Sequence, residues 1–276
     1  MAFIKHSSLL FASILIFIFF VKNYSTVAKD LNQLKNQKVE KMKKKQKIVF
    51  LITKDPDNYE AHKTVPRFAE MLKKIYGYDV TVLLGSGERG SYRYPHMEMV
   101  SKADLLIVFA RRIALPHEQM NIIKSYLNKG KPLIGIRTAN HAFTARDKIG
   151  EGFEDWPEFV ADILGCENRG YGPTEPGTEV SAVLKEISHP ILKDIDPKQW
   201  HSDGNVYIVT PLLDTEATIL LTGKVNEITE PIAWTRTAGK SKVFYTSLGY
   251  PTDFETPEFI KLLVNAIKWA LLKDQY

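Results

Sequence analysis

Short apolar runs separated by amphipathic segments limit the possible folds of this chain more than any other sequence feature. The run Ile-Val-Phe-Leu-Ile-Thr at 48–53 is typical of a strand buried on both faces. Residues 62–76 then place one apolar stripe at helical spacing, and Gly77 ends that helix. Similar apolar strands are predicted at 79–84, 103–110 and 132–137, with a unit of undecided type at 116–127. This rhythm predicts an α/β fold, with a doubly wound, mostly parallel sheet of flavodoxin-like type between two helical layers.

The second half of the chain is richer in strands. Short and partly alternating segments predict strands at 178–184, 205–210, 217–222, 231–235 and 242–247. An amphipathic helix at 257–272 closes the chain. No internal repeat and no second linker divides these segments from the first half, so residues 48–276 are predicted to form one domain.

The N-terminal residues differ in composition from the rest of the chain. Residues 1–28 contain an apolar run of signal-peptide length, and residues 29–47 are Lys-rich and polar, which is typical of a flexible linker. This leader predicts export to the periplasm or the extracellular space. The alternative is an uncleaved leader that anchors the protein in a membrane through residues 7–21.

The positive charge of the chain lies outside the predicted domain. Of the formal net charge of +5, residues 1–28 contribute +2 and residues 29–47 contribute +6, which leaves −3 for residues 48–276. Nucleic-acid binding depends on a basic surface that neutralises phosphates. The domain has no such excess of basic residues, so we predict no nucleic-acid partner, and membrane contact only through an uncleaved leader.

Polar side chains cluster where the predicted strands end. Because the carboxyl ends of parallel strands share one edge of the sheet, these side chains are expected to line one pocket there. The candidates are Thr53 and His62 after 48–53, Arg111 after 103–110, Arg137, Asn140 and His141 at the end of 132–137, and Tyr245, Ser247 and Asp253 in or after 242–247.

Two histidines are the candidate catalytic residues of this pocket. Imidazole exchanges protons near neutral pH, so His141 and His62 are predicted to carry a proton. The other candidates are predicted to bind substrate, together with Trp156, whose ring is of the kind that stacks on sugars. Alternatives stay open, since Arg111 is also compatible with an ion-paired turn and Trp156 with a place in the core.

Cofactor-binding patterns are absent from the sequence. No two histidines have ligand spacing within one element and no cysteine cluster exists, so no cofactor is predicted. A divalent metal held by His62, His141 and Asp253 stays open as the alternative. The single cysteine, Cys166, allows no intramolecular disulfide and is interpreted as a small packing residue rather than a nucleophile.

The segment 131–143 (Lys-Pro-Leu-Ile-Gly-Ile-Arg-Thr-Ala-Asn-His-Ala-Phe) resembles the central strand and elbow of the class I glutamine amidotransferase-like fold. In that fold the strand presents a nucleophilic cysteine in a tight turn. Arg137 occupies the matching position here, and a guanidinium group stays protonated and cannot act as a nucleophile. The resemblance therefore implies this fold without glutaminase activity.

Residues 48–273 as a whole resemble the ThuA-like (trehalose utilisation) family within that fold. Relatives often have His at the position of Tyr250, and residues 200–207 depart from their commoner acidic motif, so this chain offers no catalytic His at 250. The family implies sugar metabolism. The segments that carry the resemblance are 134–143, 188–192, 206–207, 231–236, 239–250 and 253–254.

The residues and the resemblance together favour an exported enzyme that acts by acid–base chemistry on a carbohydrate derivative, such as a keto-sugar. The first alternative is a noncatalytic module that binds a sugar or a protein partner at the same pocket, which the missing nucleophile and Tyr250 favour. The second alternative is a purely structural role, which leaves the polar strand ends unexplained. Homo-oligomerisation stays open.

Overall fold

The computed structural model of the chain describes residues 45–196 and 200–272. The predicted leader at 1–28, the anchor at 7–21 and nearly all of the predicted linker at 29–47 lie outside these residues. Within the described ranges, no helix combines the length and the apolar character that a membrane span requires.

Eleven strands and four α-helices make up the regular structure of the described residues. The strands are β1 (Lys47–Ile52), β2 (Asp79–Leu84), β3 (Leu105–Phe109), β4 (Leu115–Pro116), β5 (Leu133–Ile136), β6 (Phe153–Glu154), β7 (Thr178–Ala182), β8 (His201–Ser202), β9 (Thr218–Val225), β10 (Ile228–Ala238) and β11 (Ser241–Thr246). The helices are α1 (Ala61–Tyr76), α2 (Glu98–Lys102), α3 (His117–Asn128) and α4 (Pro257–Leu271).

Nine strands form one mixed sheet in the order β2-β1-β3-β5-β11-β10-β9-β7-β8. The first five strands in this order pair with one another in parallel, and the remaining four are added to β11 by antiparallel pairing. The strand order reverses at β1, since β2 lies on one side of it and β3 on the other. The predicted doubly wound, mostly parallel α/β sheet is thereby confirmed for the half that carries the candidate site.

The core consists of two apolar layers, one on each face of the sheet. Successive side chains of a strand point to opposite faces, so Phe50 belongs to one layer and Leu51 to the other. The first layer packs under α1 and α4, and the second packs under α2 and α3. This burial on both faces explains the continuous apolar runs and confirms the three-layer architecture.

The predicted helix after β1 and the unit at 116–127 both form. Helix α1 ends at Tyr76 because Gly77 adopts a left-handed conformation with φ 72 and donates its amide to the Leu72 carbonyl. The unit at 116–127 is the helix α3, with Pro116 at its N-cap position. The helix predicted at 257–272 is observed as α4.

The prediction of a strand at 205–210 is wrong. The carboxylate of Glu230 accepts hydrogen bonds from the amides of Val209 and Thr210, at 3.0 and 2.9 Å, so these two amides are taken up by a side chain instead of a neighbouring strand. Residues 206–208 pair instead with the loop at 169–172, through an isolated bridge between Tyr171 and Tyr207. This pairing brings the loop to the carboxyl edge of the sheet.

Candidate functional site

The crevice at the reversal of the strand order is filled by Asn58. Ligands of open α/β sheets commonly bind at such a point, but here the Asn58 amide donates to Thr53 Oγ1 and to the Phe109 carbonyl, both at 2.9 Å. Its Oδ1 accepts the hydroxyl proton of Thr138. Asn58 therefore joins the ends of β1, β3 and β5. Thr53, a predicted substrate-binding residue, is buried in this arrangement.

Arg111 belongs to an ion-pair cluster beside the crevice. Its Nη1 lies 3.4 Å from Asp55 Oδ1 and its Nη2 3.3 Å from Asp57 Oδ2. Arg89 approaches the same two carboxylates, with Nε 2.8 Å from Asp55 Oδ2. Arg111 is thus ion-paired, as its alternative interpretation expects, and its role in substrate binding stays a prediction.

Arg137 stands at the elbow after β5 with a left-handed φ of 44. Its side chain is only 1% exposed. The Nη1 group donates to the Ser247 carbonyl at 2.7 Å, and Nη2 donates to Asn205 Oδ1 at 2.8 Å. Both hydrogen bonds join the elbow to distant parts of the chain.

Three tyrosine rings surround the guanidinium of Arg137. Its Cζ lies 4.0 Å from the ring centroid of Tyr59, 5.0 Å from that of Tyr207 and 5.7 Å from that of Tyr250. A Cβ atom at Gly204 would lie 2.9 Å from Nη1, so the backbone at Gly204 also packs closely against the guanidinium of Arg137. Arg137 and the three rings form the tyrosine cage, which closes off the position predicted to bind substrate.

Tyr245, Ser247 and Asp253 hold the tyrosine cage in place through hydrogen bonds to Arg137 and to the backbone next to it. The Tyr245 hydroxyl donates to the Arg137 carbonyl at 2.8 Å. Asp253 Oδ2 accepts the amides of Gly249 and Tyr250 at 2.7 and 2.8 Å, and burial raises the pKa of this carboxyl group. All three predicted substrate-binding residues are buried and engaged within the protein.

His62 and Trp156 lie outside the pocket that contains His141. His62 is half-buried in the first turn of α1. The Trp156 ring packs edge-to-face on Phe159 with Lys124 above it, so its alternative place at the edge of the core is the one observed. Among the described residues no group of three or more His, Cys, Asp or Glu is placed to hold a metal ion, so His62, His141 and Asp253 do not form the alternative metal site.

One open cleft of about 570 Å³ lies beyond the carboxyl ends of β3 and β5. Its floor comes from the two strand-end turns, which are held side by side by backbone hydrogen bonds from Arg112 to His141 (3.1 Å) and from Ile113 to Ala142 (2.7 Å). The rest of its lining comes from residues 144–168. The lining residues are Arg112, Asn140, His141, Thr144, Arg146, Pro157, Glu158, Val160, Ala161, Cys166, Glu167 and Asn168.

The imidazole of His141 is oriented by its neighbour Asn140. Nδ1 lies 2.6 Å from Asn140 Oδ1. Because an amide oxygen only accepts hydrogen bonds, this short contact places the proton on Nδ1. The neutral ring then has its lone pair on Nε2, which makes no hydrogen bond among the described residues. Two neighbours in sequence thereby supply an oriented proton acceptor.

The pKa of His141 is lowered well below its ordinary value of 6.5. Burial is the largest cause, because the desolvated ring disfavours the charged form. The positive charges of Arg112, Arg111, Arg146 and Arg137 lower the pKa further. His141 is consequently neutral at physiological pH and returns readily any proton that it accepts.

Two arginines lie beside this imidazole, and neither has a carboxylate partner in the part of the chain that the structure describes. Arg112 also has a left-handed φ, of 50, and its Nη2 donates to the Tyr171 hydroxyl at 3.3 Å. Arg146 is exposed on the opposite wall and makes no ion pair within the described residues. Asn168 completes the group, since its Nδ2 donates to the Tyr171 hydroxyl at 3.0 Å and to Asn140 Oδ1 at 3.2 Å, the oxygen that also accepts from His141 Nδ1. No periodic pattern in the sequence marks Arg146, Asn168 or Tyr171.

Cys166 lines the cleft as an inert packing residue. Burial raises the pKa of its thiol to about 12. A thiol is nucleophilic in its ionised form, so Cys166 stays protonated and unreactive at neutral pH. This placement agrees with the packing role predicted from the sequence.

Acidification is expected to destabilise the fold through His141. In the folded state the pKa of His141 lies below the ordinary 6.5. As the pH falls below 6.5, the unfolded chain therefore binds a proton at His141 before the folded chain does. This contribution to stability is complete above about pH 6.5 and is lost as the pH falls, by at most about 1.4 kcal/mol per pH unit. Urea unfolding at pH 7, 6 and 5 measures the loss. His141→Gln should show a smaller decrease, and an unchanged decrease would contradict the assignment.

Comparisons with known proteins agree with this architecture. The family model for ThuA, trehalose utilisation, matches residues 32–270. A ThuA-like protein from Bacteroides uniformis is 18% identical with a TM-score of 0.62, and the match covers 83% of this chain and 93% of that one. A ThuA-like protein from Parabacteroides merdae is 17% identical with a TM-score of 0.57, over 83% and 90% of the two chains.

A larger protein contains the same fold as one part. The cold-adapted β-galactosidase from Rahnella sp. R3 is 14% identical with a TM-score of 0.51, over 81% of this chain and 31% of that one. No protein of curated function matches the sequence significantly. The family model spans most of the chain and the sheet follows the same fold, and the chain therefore belongs to the ThuA (trehalose utilisation) family.

Proposed function

We propose that this ThuA-family protein is an enzyme that transfers protons on a carbohydrate derivative, such as a keto-sugar, bound in the cleft. The observation that carries the proposal is the environment of His141. Its Nδ1 proton is held by Asn140, its Nε2 lone pair makes no hydrogen bond among the described residues, and the cations Arg112 and Arg146 line the same cleft. An oriented neutral base next to cations suits the removal of a proton from carbon beside a carbonyl group.

The dimensions and chemistry of the cleft suit a sugar-sized ligand. Its volume of about 570 Å³ lies within the range of about 300–1,000 Å³ that is usual for small-molecule sites. The amides of Asn140 and Asn168 and the hydroxyl of Thr144 offer hydrogen bonds to a polyol. The occurrence of the fold as part of a β-galactosidase is compatible with work on carbohydrates.

The proposed step begins with the ligand's carbonyl oxygen near Arg112 and Asn140. His141 Nε2 accepts the proton from the neighbouring carbon, and the negative charge that develops on the oxygen is stabilised by N–H groups of these two residues. The lowered pKa of His141 then favours return of the proton to the ligand. Glutaminase chemistry is not part of the proposal, because Arg137 fills the nucleophile position and the Cys166 thiol stays protonated.

Solvent deuterium exchange tests this function. The purified protein is incubated in D₂O with a keto-sugar and, separately, with its parent sugar, and proton NMR follows the hydrogens next to the carbonyl group. We expect catalysed exchange with the keto-sugar only. Binding without exchange or any other turnover would favour the alternative, a noncatalytic sugar-binding module. Consistent with the leader predicted at 1–28, the proposal places the protein outside the cytoplasm.

A further inference from the structure

Arg112 is a buried cation with no carboxylate partner among the described residues. It is only 5% exposed, and the one side-chain hydrogen bond that it makes within this part of the chain goes to the neutral hydroxyl of Tyr171. Its Nε is buried and makes no hydrogen bond. Arg89, Arg111, Arg169 and Arg236 each lie within ion-pair distance of an Asp or Glu. Arg112 has no such partner among the described residues, although it is buried and lines the cleft.

Asn140 adds a second buried donor to the same cleft. Its side chain is 1% exposed; Oδ1 accepts from His141 and Asn168, whereas Nδ2 makes no hydrogen bond within the described ranges. An unsatisfied buried donor is unfavourable in a folded protein. Two such donors, Arg112 Nε and Asn140 Nδ2, occur on adjacent turns of one cleft floor. Their common complement is a ligand that brings several acceptor oxygens.

The charges around the cleft leave one positive charge without compensation. Arg112 and Arg146 are the lining cations, and Glu158 and Glu167 are the lining anions. Glu167 is taken by Arg169, with 2.9 Å between Oε2 and Nη2. Two arginines therefore face the single carboxylate of Glu158, and a ligand with one negative charge balances the site.

We propose that the cleft selects sugar acids over neutral sugars, with Arg112 and Arg146 binding the ligand's carboxylate while Asn140 Nδ2 donates to the carbonyl oxygen beside it. A carboxylate carries a single charge and accepts the paired N–H groups of an arginine. A phosphate monoester carries nearly two charges at neutral pH and would exceed the uncompensated charge of the site. This inference rests on the proposed function and specifies its substrate class.

Calorimetric titration of the purified protein with matched ligands tests the selectivity. The probes are D-gluconate, D-glucuronate, D-glucuronamide, D-glucose and D-glucose 6-phosphate. We expect at least one of the two acids to bind about tenfold or more tightly than the uncharged amide, since a hydrogen bond to a charged group exceeds the 1.4 kcal/mol that corresponds to tenfold. Higher salt should weaken binding of the acid more than binding of the amide.

Arg146→Gln is the diagnostic variant because Arg146 is exposed and its replacement leaves the core untouched. It should remove most of the preference for the acid while affinity for the amide stays the same. Arg67→Gln is the matched control and should retain the preference. Arg67 is an exposed arginine that lies outside the cleft and makes no ion pair with the residues that the structure describes.

The remaining outcomes separate this inference from the proposed function. Equal binding of acid and amide, preferred binding of the phosphate, or no binding of either acid overturns the selectivity for sugar acids, while deuterium exchange with a keto-sugar can still support the enzyme. A preference for the acid that depends on Arg146, without deuterium exchange or turnover, supports the selectivity and overturns the catalytic function.

Discussion

Arg137→Ala is expected to lower the free energy of unfolding by about 3–5 kcal/mol, the range found when a large buried side chain is truncated. The substitution empties the space between Tyr59, Tyr207 and Tyr250. It also removes the donors of the Ser247 carbonyl and of Asn205 Oδ1, and buried acceptors without a donor are costly. Disrupting the tyrosine cage should therefore lower the free energy of unfolding by more than the removal of an ordinary surface charge does.

Urea unfolding of the variant and the wild type measures this effect. Arg146→Ala is the control, because this exposed arginine should change stability by no more than about 0.5 kcal/mol. Arg137→Lys should fall between the two, since lysine keeps the charge and loses the planar contact with the rings. A loss below about 1 kcal/mol in Arg137→Ala would show that the cage is not a stabilising unit, and would return Arg137 to the set of ligand-binding candidates.

His141→Gln is expected to reduce turnover of the ligand by about 10²–10⁴-fold, the usual contribution of a positioned proton carrier. Glutamine occupies similar space and makes hydrogen bonds, but it does not exchange a proton at neutral pH. Because the side chain stays polar and of similar size, the variant should remain folded. The deuterium-exchange assay gives the rate, and circular dichroism verifies the fold.

His117→Gln provides the matched control for this substitution. His117 lies at the start of α3 with its side chain 59% exposed, outside the cleft, so its replacement should leave the exchange rate unchanged. Full activity in His141→Gln would remove His141 from the mechanism. Equal losses in both variants would point to a general effect on the protein rather than to proton transfer in the cleft.

The parallel half of the fold is predictable because its strands are covered on both faces. The runs at 48–53 and 132–137 are continuously apolar and read as buried strands without any knowledge of their neighbours. The antiparallel half depends on partners that are distant in sequence. Residues 205–210 have the composition of a strand, but the Glu230 carboxylate binds the amides of Val209 and Thr210. No local pattern reveals that contact.

The candidate site was predictable only where its residues are neighbours in the chain. Asn140 and His141 follow one strand and meet directly. Arg111 and Arg112 are also adjacent, yet Arg111 pairs with Asp55 and Arg112 lines the cleft. A sequence does not show which of two consecutive arginines faces a cleft; in the structure it is Arg112, which has a left-handed φ. Arg137 looked like a ligand-binding residue because its tyrosine cage is assembled from three separate segments.

The floor and the opposite wall of the cleft come from different parts of the chain, which separates ligand preference from stability, two properties that often change together in enzymes. The floor belongs to turns fixed by the sheet, whereas the opposite wall comes entirely from residues 144–168, between β5 and β7. Loops on a rigid frame tolerate variation. Directed evolution of exposed wall positions such as Arg146 and Glu158 therefore offers a route to new ligand preferences at little loss of thermostability, while changes at the elbow of Arg137 put folding itself at risk.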